Sequence, residues 1–247
     1  VNRNVMCNPN PAQSALHAEV YATARAISER LLPRSRAYHE LWVGEEIVGG
    51  GEPESEPIYG ATYLPRKFKI GIAVPPSNDV DVFSQDLGYI AVTDAAGRLA
   101  GFNVTVGGGL GMSHNQIETY PRLADVVGFF PRSALIEVSK AVLTVFRDFG
   151  DRTDRKHARL KYVLQEKGVE WFRGEVARRA GIEFQPAKPV QFITTTDAYG
   201  WQKAVDGRWF LTLFVESGRV KDTETRRQKT ALRRVAEQFD GVEYRLS

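Results

Sequence analysis

The chain has 247 residues, 43% hydrophobic and 26% charged, an ordinary globular composition with apolar material for one large domain or two smaller ones. Its 33 basic and 30 acidic residues leave a net charge of +3, so bulk charge gives no sign of nucleic-acid binding, and no apolar run is long enough to span a bilayer. One cysteine, Cys7, excludes an intrachain disulfide, a zinc ribbon or an all-cysteine cluster built from these residues alone, and His17, His39, His114 and His157 do not pair at metal-ligand spacing.

The chain opens at Val1 without methionine and stops in "VEYRLS", where a strand is forming; both ends read as cut, so the lack of a leader is uninformative. The first clear element is a helix over "NPAQSALHAEVYATARAISERLL". Asn10 serves as cap, Pro11 as the first helical residue and Gln13 as partner in a capping box, with Leu16, Val20, Ile27 and Leu31 on the core face. From Ala37 to Val106 the pattern turns to strands: "AYHELWV", "RKFKIGIAV", "GYIAVTD" and "RLAGFNVTV", with the acidic "GGGEPESEP" as an exposed loop. Helices follow over "PRSALIEVSKAVLTVFRDFG", with Leu135, Val138, Val142, Val145 and Phe149 in a stripe, over "RKHARLKYVLQEKG" ending at Gly168, and over "VEWFRGEVARRAG" stopped by Gly181. "PAKPVQ" reads as a linker. Beyond it, "RWFLTLFVESGRV" as strand and "TETRRQKTALRRVAEQF" as helix, with Leu232, Val235 and Phe239 inward, suggest a βαβ-like start of a second unit.

Within "YLPRKFKIGIAV", Lys67 and Lys69 flank a phenylalanine, so on a strand both ammonium groups share one face roughly 7 Å apart. They repel by roughly 0.6 kcal/mol in water and about 2.4 kcal/mol at an effective dielectric near 20. On an open surface that is tolerable, and an edge strand guarded by lysines is the plain reading. In a cleft the pair asks for an anion.

Gly107, Gly108, Gly109 and Gly111 follow a strand, but Met112 breaks the dinucleotide fingerprint and no Walker lysine follows. What remains is a close backbone approach or a plain turn. In "DRTDRKHARLKY", a helix would line up Arg152, Arg155 or Lys156, and Arg159 as one basic face, either solvated or gripping carboxylates or phosphates.

"NRNVMCNPNP", "PIYGATYLPRKFK", "GFNVTVGGGLG", "DRTDRKHARLKY" and "RRAGIEFQP" resemble, in the same order and over essentially the whole chain, the haemoprotein of assimilatory sulfite reductase in the nitrite/sulfite reductase family. The resemblance implies an α+β fold, with a mixed or antiparallel sheet flanked by helices over residues 1–190 and the start of a truncated ferredoxin-like half-domain over 191–247. It implies sirohaem and a [4Fe-4S] cluster as cofactors, and six-electron reduction of sulfite to sulfide. Arg3, Lys67 and Lys69 match the anion-binding catalytic positions. Asn2, Arg66, Asn103, Gly107, Gly108, Gly109, Arg155, Lys156 and Arg159 match cofactor-binding stretches. The cluster cysteines would fall beyond Ser247, and a further pocket arginine before Val1, so the 247 residues alone are expected to be inactive.

The resemblance leaves the electron donor open between an NADPH-dependent flavoprotein reductase and ferredoxin. It implies no nucleic-acid or membrane partner and a cytoplasmic location, with a plastid left open. A nitrite reductase of the same family is the near alternative, although "PRKFK" carries Lys69 where those enzymes typically have asparagine. Alternatives of another class are a nucleic-acid-binding module on the arginine-rich segment and a purely structural subunit.

Overall fold

The alternation of apolar residues between Leu87 and Val106 produces two long antiparallel strands, and the rest of the architecture is assembled around them. The computed structural model describes residues 1–35, 40–50 and 56–246. In chain order its principal elements are β1 (Asn2–Cys7), α1 (Ala15–Arg30), β2 (Glu40–Val43), β3 (Glu46–Gly50), β4 (Phe68–Ala73), β5 (Leu87–Thr93), β6 (Leu99–Val106) and β7 (Asp125–Pro131). These are followed by α2 (Leu135–Phe149), α3 (Leu160–Lys167), α4 (Val169–Ala180), β8 (Gly200–Lys203), β9 (Trp209–Thr212) and α5 (Gln228–Gln238).

The main sheet has the order β1-β4-β5-β6-β7. The first three strands run parallel, and β6 and β7 are antiparallel to their neighbours. This is the mixed sheet with helices that the family resemblance implied. One face carries the large core, where Phe68, Ile70, Tyr89, Phe102 and Phe130 meet Ile27, Val138, Phe146 and Phe172 from the helices. Each such side chain contributes about 1.5–3 kcal/mol by leaving water. The other face holds a smaller cluster of Ala73, Val80, Val82 and Ile90, roofed by Met6, Phe83 and Phe192.

Because β4 is bonded on both sides, by β1 and by β5, it is interior and the edge-strand reading of its lysines is excluded. β1 was not anticipated. Its Asn-Arg-Asn start has turn-forming composition, and pairing with β4 overrides that tendency. β7 was also missed, since "VVGFFP" is a short apolar run without alternation. The expected strand "AYHELWV" is seen as β2; its residues 37–39, and residues 51–55 of the acidic loop, lie outside the described residues. β2 pairs with β3, which begins at Glu46 and reaches into the stretch read as loop.

The first helix starts later than expected. Asn10 caps only a short 3-10 turn over Pro11–Gln13, and α1 is capped by Ser14, whose Oγ accepts from the His17 backbone N–H at 3.2 Å. A serine nearer the apolar stripe displaces the predicted capping box. "PAKPVQ" is no free linker either. Gln185 exchanges backbone bonds with Phe129, and Thr194 O accepts from Asn78 N, so the segment straps the second face of the sheet. Past it, β8 and β9 form an antiparallel hairpin before α5, a ββα order in place of the expected βαβ. Leu232 is half-buried while Val235 and Phe239 are exposed, so the α5 stripe does not point into a core here.

The loop running to Leu87 presses on the sheet because Gly88 has no side chain. A Cβ there would sit 2.1 Å from Thr105 Oγ1 and 2.7 Å from Val82 O. Gly88→Ala is therefore expected to destabilise the protein by about 2–3 kcal/mol through overpacking against backbone, read from the midpoint of urea unfolding.

Candidate functional site

Phe68 is fully buried against Phe146, with ring centroids 5.8 Å apart, and that anchor turns Lys67 and Lys69 out on the opposite face. Asn4 of β1 is the register partner of Lys69, and the ladder shifts between Asn2 and Asn4, which places Arg3 at an irregularity beside the lysines. Lys67 is exposed and Lys69 half-buried. The neighbouring Lys69 ammonium, followed by partial burial and the charges of Arg3, Arg159 and Arg66, holds Lys67 below the usual lysine range. The structure thus gathers Arg3, Arg66, Lys67, Lys69 and Arg159 into one cationic patch.

The counter-charge at its base is Asp86, which has no exposed surface. Its Oδ2 accepts the Lys69 backbone N–H at 3.1 Å, and its Oδ1 accepts from Arg159 Nη2 at 2.8 Å and Nε at 3.3 Å. Burial pushes this carboxyl upward, and the Arg159 charge and hydrogen bond oppose that rise. Among the described residues, the ion pair within the patch is Arg159 with Asp86, one carboxylate against five cationic side chains.

The predicted glycines lie beside it but are used differently from a phosphate cradle. Gly107 N donates to Asp86 O, Gly108 N to Gln85 O and Gly109 N to Arg122 O. The carbonyls face cations: Gly107 O takes Arg122 Nη1, Gly108 O takes Arg159 Nη2, and Gly109 O takes Lys161 Nζ. The backbone amides are consumed internally. Space explains two of these glycines, since a Cβ on Gly108 would lie 2.3 Å from Phe83 O, and one on Gly109 would lie 2.6 Å from Arg159 Nη1.

The basic stretch does not form the helix that would align its charges. Asp151 Oδ1 accepts from Thr153 N and Asp154 N, and Asp154 Oδ1 from Lys156 N; these local bonds draw the backbone into turns up to Arg159, which is extended at the cap of α3. Arg152 Nη2 donates to Tyr63 O at 2.7 Å and Thr62 Oγ1 at 3.1 Å, steadying the approach to β4. Lys156 Nζ is hydrogen-bonded to Gln116 Oε1, and Arg155 is exposed on the same bend.

The asparagines also separate. Asn103 is 2% exposed, and its amide bonds Lys188 through both Oδ1 and Nδ2, fastening the strap. Asn2 donates its backbone N–H to Tyr59 OH, while its Oδ1 is buried and, among the described residues, has no partner; Asn4 Oδ1 is in the same state. Asn4, Asp86, Arg122 and Lys161 border the candidate site and were not singled out by sequence reasoning. Only Lys161 left a trace, as a lysine three positions before Leu164 on the apolar side of α3.

The profile of the nitrite and sulphite reductase 4Fe-4S domain matches residues 22–184. The sulfite reductase [NADPH] hemoprotein beta-component of Myxococcus xanthus is 56% identical over 247 residues, and that of Geobacillus kaustophilus 55% over 250; each match takes in 100% of this chain. The chain spans 43% of the length of these curated relatives. The solved structure of Mycobacterium tuberculosis NirA protein superposes with a TM-score of 0.62 at 26% identity, covering 84% of this chain and 33% of that one. The chain belongs to the nitrite and sulphite reductase 4Fe-4S domain family.

Proposed function

We propose that the chain supplies the anion-binding and sirohaem-facing part of an assimilatory sulfite reductase haemoprotein, which reduces sulfite to sulfide with six electrons. The observation that carries this reading is the cationic patch of Arg3, Arg66, Lys67, Lys69 and Arg159, left under-compensated by one buried carboxylate. A small oxyanion suits the two neighbouring ammonium groups, and a carboxylate-bearing macrocycle suits the guanidinium groups, which bind such groups bidentately. The identity to haemoprotein beta-components supports the same class. The NADPH in the name of these relatives favours an NADPH-linked electron source over ferredoxin. The rival reading as a nucleic-acid module loses its basis, because the arginine-rich helix does not form.

Sirohaem, when bound, supplies the electrons to the anion. The chain's own residues concentrate and orient that anion: Arg3 and Lys69 hold its oxygens, Arg66 engages cofactor carboxylates, and Arg159 reaches both a cofactor carboxylate and the anion. Lys67 has a further capacity. Its Nζ, made more acidic by neighbouring cations, gives up a proton more readily to a departing oxygen and regains one from the solvent it faces. The buried oxygens of Asn2 and Asn4 offer acceptors for water or O–H groups beside Arg3.

The cluster is a different matter, since a [4Fe-4S] centre takes four thiolates. Cys7 is the one cysteine, and its thiol is pushed up to about 11 by burial and the nearby Asp79 charge. It also donates to Asn8 O at 3.5 Å, and the described residues hold no group of three or more His, Cys, Asp or Glu side chains placed for a metal. These residues do not fit the cluster by themselves.

Lys69→Asn in the full-length protein is expected to lower kcat/KM for sulfite about tenfold while nitrite turnover falls less; equal losses overturn the substrate assignment. The 247-residue chain, reconstituted anaerobically with iron, sulfide and sirohaem, is expected to show no cluster iron by analysis and no sulfide release from sulfite. At pH 8, Cys7 in the folded protein is expected to react with iodoacetamide on the order of a hundredfold more slowly than in urea, which mass spectrometry reads directly.

A further inference from the structure

Lys161 is a lysine with 1% of its surface exposed, placed in the first turn of α3. That is an adverse place for a cation, since the helix terminus itself carries partial positive charge. Burial, followed by the charge of Arg159, also holds the ammonium below the ordinary lysine range, with Arg122 adding to the fall and Asp86 opposing it. The ammonium is kept by an arrangement that uses all three of its donors. Nζ bonds Gly109 O and Gly111 O, each at 3.2 Å, and Tyr120 O. The rings of Tyr120 and Tyr162 lie 5.3 and 5.1 Å from it, close enough for cation–π attraction. An apolar side chain would fill such a space without the desolvation cost.

Lys161 grips the same residue that Arg159 rests against. Gly109 is bonded in both directions with Arg122, N to O at 2.8 Å and O from N at 3.0 Å, and its carbonyl also takes Lys161. Its Cα side rests against the guanidinium, as the 2.6 Å from a would-be Cβ to Arg159 Nη1 shows. Arg159 spends Nε and Nη2 on Asp86 and Gly108. Among the described residues its Nη1 hydrogens are uncommitted, and Gly109 is the wall that aims them.

We infer that Lys161 is a positioning residue for Arg159, setting the guanidinium's place in the anion site through the carbonyl of Gly109. This rests on the reading above, in which Arg159 belongs to the site that receives the anion and its cofactor. A lysine that merely filled space would lower stability, but its effect on anion binding would be independent of Arg159.

The test is a double-mutant cycle in the full-length holoprotein, with sulfite affinity measured by titration of the absorption spectrum and folding checked by thermal melting. Arg159→Met is expected to weaken sulfite binding about tenfold, Lys161→Met by a similar factor, and the double variant by no more than about twofold beyond either. Losses that multiply toward about a hundredfold overturn the inference, as does wild-type affinity in Lys161→Met alongside a weakened Arg159→Met. No effect of Arg159→Met removes the underlying site reading and the inference with it. Should Lys161→Met not melt cooperatively, Gly109→Ala displaces Nη1 while leaving Lys161 in place. It is expected to show the same loss, with no further loss on adding Arg159→Met, and unchanged affinity in folded Gly109→Ala overturns the inference.

Discussion

The Asp86 carboxylate, sealed from water, is the joint on which the candidate site is built. It sits just before β5, takes the backbone N–H of Lys69 from β4, and receives the Arg159 guanidinium from the entry to α3. Three separate stretches of chain are thereby brought to one place. Removing one partner of a buried pair leaves the other as an uncompensated charge, at a cost of several kcal/mol, so the elements are held more tightly than an exposed pair could hold them.

From that joint the cationic patch follows. The sheet register places β1 beside β4, so Arg3 and the two lysines approach one another in space although some sixty residues separate them in sequence. Their mutual repulsion is sustained by the interior place of β4, whose ladder on both sides and whose buried Phe68 resist any twist that would relieve it. The helices do this work from the far face, and the strap across 185–194 does it from the near one.

Much of this was legible in the sequence where a residue's role is local. The alternation in "RKFKIGIAV", "GYIAVTD" and "RLAGFNVTV" marks the central strands, and the Phe68 anchor puts both lysines on one face, as pattern alone requires. What was not legible depends on partners far along the chain. β1 needs β4 beside it to become a strand, and "PAKPVQ" needs Asn103 and Phe129 to become a strap. The 151–159 stretch has helical spacing of its charges, yet Asp151 and Asp154 capture backbone N–H groups that a helix would require. Asp86 and Lys161 are ordinary charged residues in sequence, and only burial reveals their weight.

The glycine turn carries a consequence for how such a pocket evolves. A phosphate loop grips its ligand with main-chain amides, which no point mutation can delete without rebuilding the chain. Here the amides of Gly107, Gly108 and Gly109 are already spent on neighbouring carbonyls, so in the proposed reading recognition falls to side chains, each of which one codon can replace. A scaffold of this kind can keep its architecture while the side chains it presents change one residue at a time.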